Sequence, residues 1–167
     1  MIRVDLTEDE ITAALERLSR SLTNMTPVMQ DVGELMVRST KLRFTEGRSP
    51  EGAAWLPKSA TTLAAYQARG DRMDFRPLFG PSGRLSSEIF YEVGAGGDSV
   101  EVGSNLIYAA VMQFGAAQGA FGSTSRGGPI PWGSIPARPF LGVSEDDRTN
   151  ILASIDEWLQ SSVAGGD

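Results

Sequence analysis

The sequence predicts an α+β fold: a small antiparallel β-sheet with packed α-helices, long helices at the N-terminal side and one at the C-terminal side. Three observations carry this. Apolar residues recur at helical spacing before residue 47 and again after residue 144. Two alternating runs around the glycines at 94–97 form the clearest hairpin in the chain. Short strand-like stretches at 2–6 and 135–141 would complete a sheet of about four strands with helices on it. With 167 residues, the chain has the size of one domain, taken as 1–163 with a disordered tail at 164–167.

Ile2, Val4 and Leu6 alternate with polar residues, which suits a short strand. Thr7 and Glu10 make a T-x-x-E capping box. Ile11, Leu15, Leu18 and Leu22 then mark one apolar stripe of an amphipathic helix. A second helix starts at Thr26–Pro27 and runs about 20 residues to a glycine cap at Gly47. Arg38, Lys41 and Arg43 lie near its C-terminal end, where cations suit the macrodipole. Residues 47–58 are loop chemistry, with Trp55 read as an anchor packing the loop on the body rather than as a ligand platform. Ser59 caps a third helix that stops at Gly70.

A helical turn from Gly83 to Glu88 leads into the hairpin, with Ile89, Tyr91 and Val93 on one arm and Val100 and Val102 on the other. Leu106 to Phe114 reads as a buried helix stopped by Gly115. Residues 115–136 hold six glycines and three prolines. A loop of that length inside a compact domain is usually functional or disordered. Phe121, Ile130 and Trp132 have little local structure to bury them, so the loop is expected to order against something else, with residues 115–130 mobile when the chain is alone. Ser144 with Asp147 caps the last helix, where Ile151, Ile155, Trp158 and Leu159 share a face.

Composition excludes much chemistry. The chain has no cysteine and no histidine, which removes thiol nucleophiles, disulfides, the commonest zinc ligands and the usual neutral-pH base. Glu145, Asp146 and Asp147 are consecutive on a helix and point in different directions, so they read as cap acids rather than a metal site. The glycines at 94–97 lie between two strands, not between a strand and a helix, and no Walker lysine exists. No catalytic, cofactor-binding or metal residue is assigned, and no cofactor is expected. Arg38, Lys41, Arg43 and Arg48 suit either phosphate contact or a solvated helix end. Net charge is −6, a poor balance for a nucleic-acid binder. Residues 85–167 hold 3 basic and 10 acidic side chains, against 12 and 11 in residues 1–84. The N-terminus lacks a secretory h-region and no run reaches membrane-span length, so a soluble protein made in the cytoplasm is expected.

Four segments together resemble the phage virion morphogenesis family of small tail-completion proteins, including Mu-like ones. They are FTEGRSPEGAAWLP at 44–57, LFGPSGRLSSEI at 78–89, VEVGSNLIYAAVMQFG at 100–115 and IPARPFLGVSEDD at 135–147. The resemblance covers about residues 26–160. Met112 departs from it, standing where many relatives have histidine, and the glycine-rich insertion is longer than usual. The resemblance implies a structural virion protein of the neck or tail-completion region, in the virion and, during assembly, in the host cytoplasm. It implies a homo-oligomeric ring, of six copies by expectation, that meets neck, portal or tail proteins while DNA passes through the channel unbound. A membrane plays no part.

A ring needs heterologous contacts, and these need surface left unsatisfied in the monomer. Candidate interface residues are Trp55, Phe121, Arg126, Ile130, Trp132, Arg138 and Phe140. Within Pro-Ala-Arg-Pro-Phe-Leu, the prolines limit the path to an edge or irregular course. Phe140 and Leu141 could pin it to the core, with Arg138 bonding a carboxylate or carbonyl. Two other readings are a transient assembly factor absent from the mature virion and a hydrolase using Glu88, Glu92 or Asp98.

Overall fold

A computed structural model describes residues 8–164. The expected strand at Ile2, Val4 and Leu6, the capping role of Thr7 and the last three tail residues lie outside the described residues. Ala164, placed in the tail by its sequence, is the last residue of a helix.

The described elements are α1 (Glu8–Thr23), α2 (Thr26–Glu46), α3 (Ala60–Arg69), α4 (Arg84–Ser87), β1 (Phe90–Val93), β2 (Val100–Gly103), α5 (Ala109–Phe114) and α6 (Glu145–Ala164). The fold is α+β, with six helices and a two-stranded antiparallel sheet among the described residues. The start and stop signals work as local chemistry requires. The Ser59 hydroxyl accepts from the Thr62 N–H at 3.1 Å, and Gly70 closes α3 in the left-handed region. Gly47 ends α2 by donating to the Arg43 carbonyl at 2.7 Å. The β1–β2 turn closes through Gly94 N–H to the Ser99 carbonyl and Gly97 N–H to the Gly94 carbonyl.

Two compact units share the chain. The first takes residues 1–35, 91–101 and 146–167, and the second 36–90 and 102–145. In the first unit Val28 and Val32 are buried on α2. The next residue, Gly33, leaves room for the Tyr91 ring, into which a Cβ would run. The Arg17 guanidinium donates to the Val163 carbonyl at 3.0 Å, tying α1 to the last turn of α6, where a cation suits the dipole. The α1 stripe does not line a core: Ile11, Leu15 and Leu22 are exposed, Leu15 at 60%.

The second unit is built around aromatic rings. Phe44 is fully buried and meets Phe140 at 5.2 Å, Trp55 at 5.8 Å and Phe79 at 6.2 Å between ring centroids. Leu78, Leu85, Ile89 and Ala109 complete the buried cluster, with Met112 and Val102 packed on it.

Two expectations are corrected here. Residues 135–141 form no strand beyond a single bridge from Ile135 to Ala116, so the described sheet has two strands rather than about four. Pro136 and Pro139 have no N–H to give a ladder, and the donors that remain go to α5. Arg138 N–H reaches the Met112 carbonyl at 2.8 Å. Phe140 and Leu141 N–H both reach Gln113 Oε1, at 2.9 and 3.0 Å, while Gln113 Nε2 donates to the Leu141 carbonyl at 3.0 Å. The helix expected to be buried at 106–114 is the short α5, and only one side of it faces the core. Ala109 is buried, whereas Phe114 is exposed and Ile107, just before the helix, is 96% exposed.

Gly115 ends α5 at φ 75°, and a Cβ there would lie 2.7 Å from the Ile135 carbonyl oxygen and 2.8 Å from the Ala137 nitrogen. Both contacts are backbone and cannot swing away. Gly115→Ala therefore combines left-handed strain with a clash, and a loss of about 2–4 kcal/mol is expected in a denaturant titration.

Candidate assembly surface

Residues 115–136 form an arm folded back on itself, not an unpaired loop. At its root Ala116 and Ile135 exchange both backbone hydrogen bonds, at 2.9 and 2.7 Å. Farther out Gly119 N–H reaches the Pro131 carbonyl, Phe121 N–H the Ile130 carbonyl and Ile130 N–H the Gly122 carbonyl. Thr124 and Gly128 close the tip, where the Thr124 hydroxyl accepts from Gly128 N–H at 3.1 Å. The glycines and prolines thus shape an irregular two-stranded ribbon, and its order comes from its own backbone pairing.

That pairing leaves the large side chains outside. Trp132 is 81% exposed and Phe121 57% exposed, and Ile130 also reaches solvent. Arg126, the arm's one cation, is exposed at the tip. Gln118 Nε2 holds the Trp132 carbonyl at 2.9 Å, so the backbone beneath the indole is fixed while the ring is not covered. Aromatic side chains presented on a fixed backbone are strong interface anchors, because little conformational entropy remains to be lost.

The other three candidates lie inside the second unit. Trp55 and Phe140 are buried, and Trp55 Nε1 donates to the Pro139 carbonyl at 3.0 Å. Arg138 is buried too, with Nε on the Leu56 carbonyl at 2.8 Å and Nη2 on the Pro57 carbonyl at 3.0 Å. These residues staple the 55–57 and 138–140 segments together and offer little surface to a neighbour. A rigid aromatic in a turn and a guanidinium fork are equally suited to either use, so only burial separates them.

Arg43 is a residue whose role the sequence pattern misplaces. Its place near the C-terminal end of α2 suits a cation open to phosphate or to solvent, yet it is buried. One of its terminal nitrogens donates to the Phe140 carbonyl at 3.0 Å and to the Gly142 carbonyl at 2.8 Å. For Gln113 the sequence signal is only indirect: a proline-broken stretch whose N–H groups need acceptors. Of the carboxylates considered for hydrolysis, Glu88 pairs with Arg84 at 2.6 Å on the surface.

Beside the arm's root, the second unit holds a groove of about 760 Å³. Tyr66, Pro77, Leu85, Tyr108 and Met112 supply apolar lining, and Lys58, Arg84 and Arg138 the charge. Lys58 Nζ donates to the Phe79 carbonyl at 2.6 Å and to the Asp74 carbonyl, and lies 5.6 Å from the centre of the Tyr66 ring. Burial pulls the Lys58 ammonium below its ordinary pKa, against the attraction of Asp74. Burial likewise lowers that of Arg138.

Near it, the Arg76 guanidinium holds the Asp74 carboxyl down at about 2 from the ordinary 3.8, chiefly by side-chain hydrogen bonds. A carboxyl lowered in the folded state stabilises the fold above its unfolded pKa, and that contribution is lost as pH falls through the folded value. The Asp74 contribution should therefore fade between about pH 4 and pH 2. A carbon-detected NMR titration should place Asp74 near 2, and Asp74→Asn should remove that part of the acid limb of stability.

Among the described residues, no helix is long and apolar enough to cross a membrane. The model of the phage virion morphogenesis family matches residues 6–160 of this chain. Mu-like prophage FluMu G protein 2 of Haemophilus influenzae is 28% identical over 161 residues, which cover 96% of this chain and 97% of that protein. No solved structure matches the chain.

Proposed function

The chain belongs to the phage virion morphogenesis family, and from that premise we propose that it is a non-enzymatic structural component of the head–tail junction of a tailed phage. In this reading copies assemble as a ring, of six by expectation, that joins tail to head around the DNA channel. The observation that carries it is the arm of residues 115–136. It spends its backbone donors on itself and presents Phe121, Ile130 and Trp132 outward. Uncovered aromatic side chains on an ordered ribbon suit a permanent partner better than a turnover site. Neighbouring subunits and adjoining neck, portal or tail proteins are the partners this surface would meet.

Charge supports the same reading. A chain of net charge −6 around a DNA channel repels the duplex, which favours passage over retention. Place in the particle is tested by mass spectrometry of purified virions. A structural ring component persists in fixed stoichiometry with the other neck proteins. A chain present in infected cells but missing from mature particles would instead be a transient assembly factor.

A further inference from the structure

Charge is divided between the two compact units. The first has 4 basic and 15 acidic residues, for −11, and the second 11 basic and 6 acidic, for +5. The groove of the second unit carries the same bias: it is lined by Lys58, Arg84 and Arg138 and by no carboxylate. Arg84 already has Glu88. The described hydrogen bonds of Lys58 and Arg138 go to backbone carbonyls, and the Asp74 carboxylate that attracts Lys58 is itself paired with Arg76.

The first unit presents the complement. On α1, Ile11, Leu15 and Leu22 stand at helical spacing and are exposed; the helix carries four acids, Glu8, Asp9, Glu10 and Glu16, against Arg17 and Arg20, and Glu10 flanks the stripe. An acidic helix with an uncovered apolar stripe and an apolar groove rimmed by cations match in both characters that set helix-in-groove recognition.

We propose that the α1 stripe of one copy docks in the Tyr66–Leu85–Met112 groove of a second copy, with the Glu10 edge of the stripe facing Lys58. The occupant is thus another copy of this chain. The contact uses two different surfaces, so it is heterologous and propagates from copy to copy. It rests on the ring reading and names one interface of that ring. Charge attraction across it makes association fall with added salt.

The test uses two variants of the full chain, Leu15→Asp in the stripe and Arg84→Glu at the groove. Both positions are exposed, so folding is checked by circular dichroism. Each variant alone should weaken self-association at least tenfold in sedimentation experiments. Mixed together they should form a one-to-one dimer, because the Leu15→Asp chain keeps an intact groove and the Arg84→Glu chain an intact α1. Since the chain has no cysteine, Leu15→Cys and Ser82→Cys chains each carry one thiol. A short bis-maleimide should join them across copies in the mixture. Undiminished association of both variants, with rings still formed, would overturn this contact and leave the ring standing. A wild-type chain that does not self-associate, together with Leu15→Cys and Ser82→Cys chains that are not joined in the mixture, would remove the contact, and the ring reading would then be decided by the particle itself.

Discussion

Phe44→Ala is expected to lower folding stability by about 3–5 kcal/mol, the largest single-residue loss in the molecule. Phe44 is fully buried and its ring meets Trp55, Phe79 and Phe140. Removing it opens a space walled by three aromatic groups. Two of those are fixed by bonds of their own segments, Trp55 through Nε1 to Pro139 and Phe140 through its N–H to Gln113. A wall held in this way collapses poorly into a cavity, and the cost of a large-to-small change rises with the volume left empty. Equilibrium unfolding in urea measures it. A loss under about 1 kcal/mol, of the size seen at surface sites, would mean the ring cluster is not the centre of the second unit.

Replacing Phe121 and Trp132 together by alanine should have the opposite signature. Both side chains are exposed in the isolated chain, so its stability should move by less than about 0.5 kcal/mol. Assembly should suffer strongly. An aromatic hot spot contributes about 2 kcal/mol or more, so each loss weakens a contact about thirtyfold. In a ring the deficit recurs at every boundary. Phage carrying the double variant should accumulate unjoined heads and tails, counted by electron microscopy, while the purified variant unfolds like the wild type. A variant that unfolds early would show that the arm is a folding element instead.

The contrast between these two substitutions marks where sequence stops being informative. Element ends were legible because they depend on neighbours in the chain: the Ser59 hydroxyl, the left-handed Gly70 and the closure at Gly47 are local chemistry. The hairpin was legible for the same reason. Long-range partners were not. Arg43 is a cation near a helix C-terminus in any sequence reading, and only the fold brings the Phe140 and Gly142 carbonyls to it. Residues 135–141 look strand-like until Gln113 is seen to take the N–H groups of Phe140 and Leu141.

The candidate surface divides in the same manner. Trp55, Phe121, Trp132 and Phe140 are alike as large apolar groups near glycine and proline. What separates them is whether another segment covers them, and that is decided by residues far away in sequence. The arm was identifiable from its glycines and prolines as exceptional. Its internal ladder was not, because the irregular spacing of its donors hides the pairing that alternation normally announces. The α1 stripe shows the converse: its period reveals an amphipathic helix, yet nothing in the period says what covers the apolar side.

An image reconstruction of the intact phage particle tests the central claim most directly. The account predicts a ring of this chain at the head–tail junction, with Phe121 and Trp132 of every copy enclosed by a neighbouring polypeptide. Copies found there with both side chains facing solvent, or particles without the chain, would contradict it.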